Sequence, residues 1–135
     1  MTQGGCLCGA VRYRIEGELA PIQVCHCSQC RKAQGAPFAS NIPVPEERFR
    51  LLHGEALLRA FESSPGKQRV FCSHCGSPLF SRNVKTPGVL RIRAGSLDGE
   101  LATRPVAHFY VASKANWWSI DDDLPQFPGA YQPRS

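Results

Sequence analysis

Seven cysteines in 135 residues, gathered into three tight clusters, constrain this chain more than any other feature. They are Cys6-Leu7-Cys8, Cys25-His26-Cys27-Ser28-Gln29-Cys30 and Cys72-Ser73-His74-Cys75. An odd count cannot pair fully into disulfides within one chain, and clustered thiols read as metal ligands or redox groups. On extended backbone, residues i and i+2 point to the same side. Cys6 and Cys8 can therefore aim two sulfurs at one point, as can Cys25 and Cys27. The two-residue gap between Cys72 and Cys75 is zinc-knuckle spacing. Gly76 supplies the left-handed residue that closes such a turn.

The pairs Cys6/Cys8 and Cys72/Cys75 together make a closed tetrahedral set of four thiolates, a structural zinc site. It would clamp the N-terminus to a distant turn, the long closure that a metal clip stabilises most. Cys25, Cys27 and Cys30 remain. Three protein ligands leave a fourth position for water or substrate, which is the catalytic arrangement. An all-sulfur zinc site prefers soft ligands and would take a thiol as its thiolate. Two Zn²⁺ per chain are expected. The alternatives are an eighth ligand from His26 or His74, redox dithiols, or free cysteines. His26 lies between two ligands on one strand, so its side chain should face away from them.

The length suits a single domain over residues 1–135, and a hydrophobic content of 42% fits a globular fold. Neither a leader pattern nor a run long enough to span a bilayer is visible, so the expectation is a cytoplasmic protein with no membrane partner. The formal charge of +5 treats thiols as neutral. Two Zn²⁺ would offset only four of seven thiolates, so metallation makes the chain less basic. That weakens a nucleic-acid reading.

Along the chain, Val11, Tyr13 and Ile15 alternate with charged residues as a half-buried strand does. Arg31 to Gln34 reads as one helical turn ended by Gly35. Phe38 to Pro43 reads as an edge strand, because proline cannot donate to an interior ladder. Arg48–Leu52 and Ala56–Phe61 read as a hairpin around His53-Gly54-Glu55. Ser63-Ser64-Pro65-Gly66 reads as a turn. Leu79–Asn83 and Val89–Ala94 read as a second hairpin around Thr86-Pro87-Gly88. Val106 to Val111 reads as the last strand, and Ser113 to Pro128 as irregular wrapping. The fold class expected is mainly β, built from short antiparallel strands with one or two short helical turns.

Taken together, these residues resemble the glutathione-dependent formaldehyde-activating enzyme family, which includes centromere protein V. The matching segments are Gly5-Cys6-Leu7-Cys8-Gly9-Ala10-Val11-Arg12-Tyr13, Cys25-His26-Cys27-Ser28-Gln29-Cys30-Arg31-Lys32, Phe71-Cys72-Ser73-His74-Cys75-Gly76 and His108-Phe109-Tyr110-Val111-Ala112-Ser113-Lys114-Ala115. They span nearly the whole chain in order. The resemblance implies a β-tent zinc fold and the same division of the cysteines, Cys6, Cys8, Cys72 and Cys75 against Cys25, Cys27 and Cys30. It also implies a carbon–sulfur lyase that adds a thiol, typically glutathione, to formaldehyde.

For such a reaction a cation near the three-cysteine site would stabilise the developing alkoxide. Arg31 and Lys32, directly after Cys30, are the sequence candidates. His108 reads as structural, Lys114 as capping its turn and Asp121-Asp122-Asp123 as a solvated turn. Trp117 and Trp118 read as packing the C-terminal segment onto the core. The competing class is a zinc-stabilised binding module for protein or nucleic acid, without catalysis. It would need a basic face. Arg12, Arg14, Arg48, Arg50, Arg59, Arg91 and Arg93 could form one, although alternate strand residues face outward on any solvated sheet. A third class is redox sensing by the three-cysteine loop.

Overall fold

The computed structural model describes residues 1–130 of the chain. The last five positions of the expected 1–135 domain lie outside the described residues. The strands are β1 (Thr2–Gly5), β2 (Arg12–Ile15), β3 (Ile22–Cys25), β4 (Ala39–Pro45), β5 (Phe49–His53), β6 (Leu58–Ser64), β7 (Lys67–Cys72), β8 (Pro78–Asn83), β9 (Val89–Arg93) and β10 (Pro105–Phe109). One helix, α1 (Ser28–Gln34), follows β3. The strands form two sheets, ordered β1-β2-β5 and β10-β3-β4-β9-β8-β7-β6. The fold is mainly β, as expected. Among the described residues the named strands pair antiparallel except where β10 runs parallel to β3.

Alternation along the strands gives the larger sheet two different faces. Ile42, Ile92, Phe80 and Val70 are successive cross-strand partners and are all buried. With Tyr13 and Ile15 from β2 they belong to the main hydrophobic core. The opposite face carries Arg69, Ser81 and Arg91 in one cross-strand row. Asn41 opposite Arg93, and Ala39 opposite Cys25, lie on that same face. A one-residue slip would exchange the two sets, so the apolar pattern fixes the register and with it the polar face.

Two strand expectations are corrected. The Phe38–Pro43 segment is not an edge strand: β4 lies between β3 and β9. Its prolines are tolerated because β3 pairs only with Ala39, Ser40 and Asn41. Pro43 and Pro45 lie beyond the end of β3, where no neighbour on that side misses an N–H. The expected hairpin around His53-Gly54-Glu55 does not form. β5 pairs with β2 in the small sheet and β6 with β7 in the large one. Gly54, at φ 90°, and a 3₁₀ turn over Glu55–Leu57 carry the chain from one sheet to the other. The β6–β7 and β8–β9 hairpins form where the Pro65-Gly66 and Pro87-Gly88 turns place them. Gly35 ends α1 in the left-handed region, at φ 60°.

Among the described residues, no helix is long and apolar enough to cross a membrane.

Candidate metal centres

The first cluster is assembled from opposite ends of the fold. Cys6 and Cys8 sit on the loop between β1 and β2, while Cys72 ends β7 and Cys75 lies in the turn before β8. The turn is closed by Gly76, whose N–H donates to the Cys72 carbonyl at 2.7 Å and whose φ is 78°. The four sulfurs lie within 4.8 Å of one another. Cys6 Sγ is 3.5 Å from Cys8 Sγ, and Cys8 Sγ is 4.0 Å from Cys72 Sγ. A tetrahedron of Zn–S bonds has edges of about 3.8 Å, so these separations suit one shared ion. They are far too long for disulfides.

Donors surround these sulfurs. Val11 N–H donates to Cys6 Sγ at 3.2 Å. The Ser77 hydroxyl lies 3.1 Å from Cys75 Sγ and accepts from Leu7 N–H at 2.9 Å. That hydroxyl is the main cause pulling the Cys75 thiol down to about 5. Sharing of protons with the other three sulfurs pushes the Cys8 thiol up to about 12. Four crowded sulfurs that compete for protons fit a divalent metal, which replaces the protons such a cluster would otherwise hold.

The second cluster stands on the polar face of the large sheet. Cys25 ends β3, and Cys27 and Cys30 lie at the start of α1. Cys27 is the helix N-cap: its sulfur accepts from Cys30 N–H at 3.2 Å. The three sulfurs again lie within 4.8 Å of one another. Cys30 is 1% exposed. Hydrogen bonds from Cys25 and Cys27, then the Arg69 guanidinium, hold its thiol far below the ordinary range. The same sharing with Cys27 and Cys30 pushes Cys25 far up. Three sulfurs competing for few protons on a compact loop also fit a metal ion. No fourth Cys, His, Asp or Glu joins them among the described residues.

His26 and His74 join neither group. His26 turns away from its neighbouring cysteines, is fully buried, and places Nε2 2.8 Å from His108 Nδ1. His108 Nε2 in turn lies 3.0 Å from the Asp122 carboxylate. With Asp122 ionised and both rings neutral, His108 donates from Nε2 and accepts at Nδ1, and His26 donates from Nε2. This chain ties the C-terminal segment to the three-cysteine loop. His108 is thus structural, as expected, but Asp122 is more than a solvated turn.

Its bond to His108 is the main cause holding the Asp122 carboxyl below 3.8. The tether is therefore complete at neutral pH and is lost only as pH falls through the lowered value. Asp122→Asn at neutral pH is expected to speed amide exchange several-fold at Phe127, whose N–H donates to the His108 carbonyl. Hydrogen exchange read at that amide checks it, and an unchanged rate contradicts it.

Other expectations divide. Lys114 Nζ donates to the Ala115 carbonyl and to that of Trp118, capping its turn. Trp118 stacks edge-on against Phe38, but Trp117 is 66% exposed and does not pack onto the core. Arg31 and Lys32 are not the cations on the cluster. Arg69 is, with both terminal nitrogens 3.7 Å from Cys30 Sγ. Arg93, expected on an outward basic face, is 5% exposed. Neither role is legible locally, because Arg69 and Arg93 reach the site through sheet register and not through neighbours in sequence.

The family model of the glutathione-dependent formaldehyde-activating enzyme matches residues 1–113. A Halomonas elongata protein named for that activity is 31% identical over 130 residues, covering 90% of this chain and 82% of its own. An Aspergillus flavus protein of the same name is 34% identical over 79 residues, 57% of this chain but 41% of its own length. A crystal structure of a Rhodobacter sphaeroides protein shares the fold, with a TM-score of 0.63 at 22% identity over 77% of this chain and 99% of that one. By sequence over most of its length, the chain belongs to the glutathione-dependent formaldehyde-activating enzyme family.

Proposed function

We propose that residues 1–135 form one zinc-binding domain acting as a carbon–sulfur lyase of the S-hydroxymethylglutathione synthase type. It binds glutathione or a similar thiol at the three-cysteine centre and adds it to, or releases it from, formaldehyde or a related small carbonyl. The observation that carries this reading is the unequal division of the seven cysteines. Cys6, Cys8, Cys72 and Cys75 would hold a closed structural zinc. Cys25, Cys27 and Cys30 would hold a second ion with a position left for substrate. Zinc there supplies a soft Lewis acid that keeps an incoming thiol deprotonated near neutral pH.

The chain's own residues do the rest. The thiolate sulfur forms a bond to the carbonyl carbon, the carbonyl π pair moves to oxygen, and that oxygen takes a proton from solvent, which balances the proton the thiol released to solvent on deprotonation. Charge on that oxygen needs a preorganised cation. Arg69 is fixed beside Cys30, held from below by its Nε–H bond to Ser63 Oγ at 3.0 Å. Lys67, two residues away on the same face of β7, is half-buried, and burial is the main cause that lowers it. The α1 N-cap keeps Cys27 and Cys30 at fixed separation, so the ligand set needs little rearrangement.

The binding-module alternative loses its basic face in part, because Arg93 is buried. Arg69→Met is expected to lower metal affinity of the second centre about tenfold, the net worth of hydrogen bonds to a charged sulfur. Arg69→Lys is expected to recover part of it. Competition with a chromogenic chelator measures both, and an unchanged competition curve for Arg69→Met contradicts the assignment. The function itself is tested by following S-hydroxymethyl adduct formation from glutathione and formaldehyde. The zinc-loaded protein should exceed the spontaneous rate, and no excess over it would exclude the synthase reading.

A further inference from the structure

The polar face of the large sheet carries more positive charge than its surroundings neutralise. Lys67 and Arg69 alternate on β7, and Arg93 ends β9 on the same face. Among the described residues, no Asp or Glu lies within ion-pair distance of any of the three. The Cys30 sulfur accepts from both terminal nitrogens of Arg69. A zinc ion on the three-cysteine loop would cancel most of the charge of its sulfur ligands, leaving the cations in excess. Buried charges without partners are costly, so such an excess points to an anion that binds there.

Arg93 locates the place. It is 5% exposed, one terminal nitrogen donates to Asn41 Oδ1, and its Nε has no hydrogen-bond partner. Burial is the main cause bringing it down to about 10. The Gln34 amide nitrogen, at the end of α1, is also buried and has no partner. Both residues line a cleft of about 560 Å³ between α1 and the Cys6 loop. Both also line a smaller pocket of about 150 Å³ shared with Arg69, the residue that touches Cys30. Two orphaned donors thus line both the cleft and a pocket walled by Arg69, whose guanidinium touches Cys30. The one carboxylate on the cleft wall, Asp98, is exposed and paired to Arg12 at 2.7 Å.

We propose that this cleft seats a carboxylate of the substrate thiol, bound by Arg93 Nε–H and the Gln34 side-chain amide. The inference rests on the thiol reading above. A planar carboxylate can accept from two N–H donors at once, and a guanidinium matches it better than an ammonium does. The chain accordingly selects thiols by the carboxylate they carry. Neutral thiols reach the metal centre but lack this second anchor.

Two titrations of the zinc-loaded full chain separate this inference from the reading beneath it. In the first, glutarate, which has no thiol, is followed by the nitrogen-15 signals of Arg93 Nε–H and the Gln34 amide. Saturable shifts of both are expected, absent in Arg93→Met and weakened about three- to tenfold in Gln34→Ala. No saturable shift overturns the carboxylate seat, and equal binding of inorganic phosphate overturns its specificity for carboxylate. In the second, 3-mercaptopropionate is compared with 2-mercaptoethanol by native mass spectrometry. The carboxylate thiol is expected to bind at least tenfold more tightly. Arg93→Met should abolish that preference while leaving 2-mercaptoethanol binding unchanged, which also shows that the variant folds. Equal affinities overturn the proposal. If 2-mercaptoethanol does not bind at all, the thiol reading fails, and the glutarate titration alone decides the seat.

Discussion

Cys72→Ser is expected to leave the chain largely unfolded at 25 °C, as is a strong chelator applied to the unaltered protein. The cause is the closure that the four sulfurs make. Cys8 and Cys72 are 64 residues apart, and among the described residues few polar contacts other than the sulfurs join the Cys6 loop to the β7–β8 turn. β1 is four residues long and, besides its pairing with β2, has a single bridge from Gly4 to Leu97 among the described residues, so it holds that loop weakly on its own. Cys72 is also fully buried within the main core, so an uncoordinated hydroxyl there adds a packing and desolvation cost. Structural zinc contributes on the order of 10 kcal/mol of apparent folding free energy. A domain of this kind has about 5–15 kcal/mol in all. Far-ultraviolet circular dichroism and a thermal scan measure the result. A cooperative transition at the unaltered temperature would show that this cluster does not hold the fold.

Cys27→Ser is expected to do the opposite: keep the fold and remove the chemistry. Cys27 caps α1 through its sulfur, and serine is among the best N-cap residues. The helix therefore keeps its cap, while the second centre loses a soft ligand that a hydroxyl does not replace. Thiol binding should fall at least a hundredfold, and adduct formation should return to the spontaneous rate, with a melting temperature within a few degrees of the unaltered protein's. Glutathione binding measured by calorimetry, beside a melting curve, reads both. Cys30→Ser is a less clean test. Cys30 is 1% exposed against the Arg69 guanidinium, and losing its thiolate strands a buried cation.

The grouping of the cysteines into a set of four and a set of three was largely legible in the sequence because its geometry is local. Extended i, i+2 pairs and a two-residue knuckle turn bring sulfurs together whatever the rest of the chain does. The division into four and three needed only the assumption that Cys6 and Cys8 meet the one knuckle. Gly35 and the Pro65-Gly66 and Pro87-Gly88 turns were legible for the same reason, as each acts on its own few residues. What could not be read was whatever depends on which strands become neighbours. Pro43 suggested an edge, yet a short β3 leaves a central strand with one free flank. His53-Gly54-Glu55 looks like a hairpin turn, and the same turn residues serve to change sheets. Arg69 and Arg93 are separated from Cys25, Cys27 and Cys30 by dozens of residues, and only the β7–β8–β9 register sets them on the polar face. The His26–His108–Asp122 chain likewise exists only because β10 runs parallel to β3.

The measurement that tests the central claim most directly is native mass spectrometry of the freshly reduced protein, titrated with reduced glutathione. Two zinc ions per chain and one bound glutathione, the latter lost with Cys27→Ser, are the predicted result. A single tightly held zinc and no glutathione adduct would contradict an open three-cysteine centre, leaving only the four-cysteine clamp.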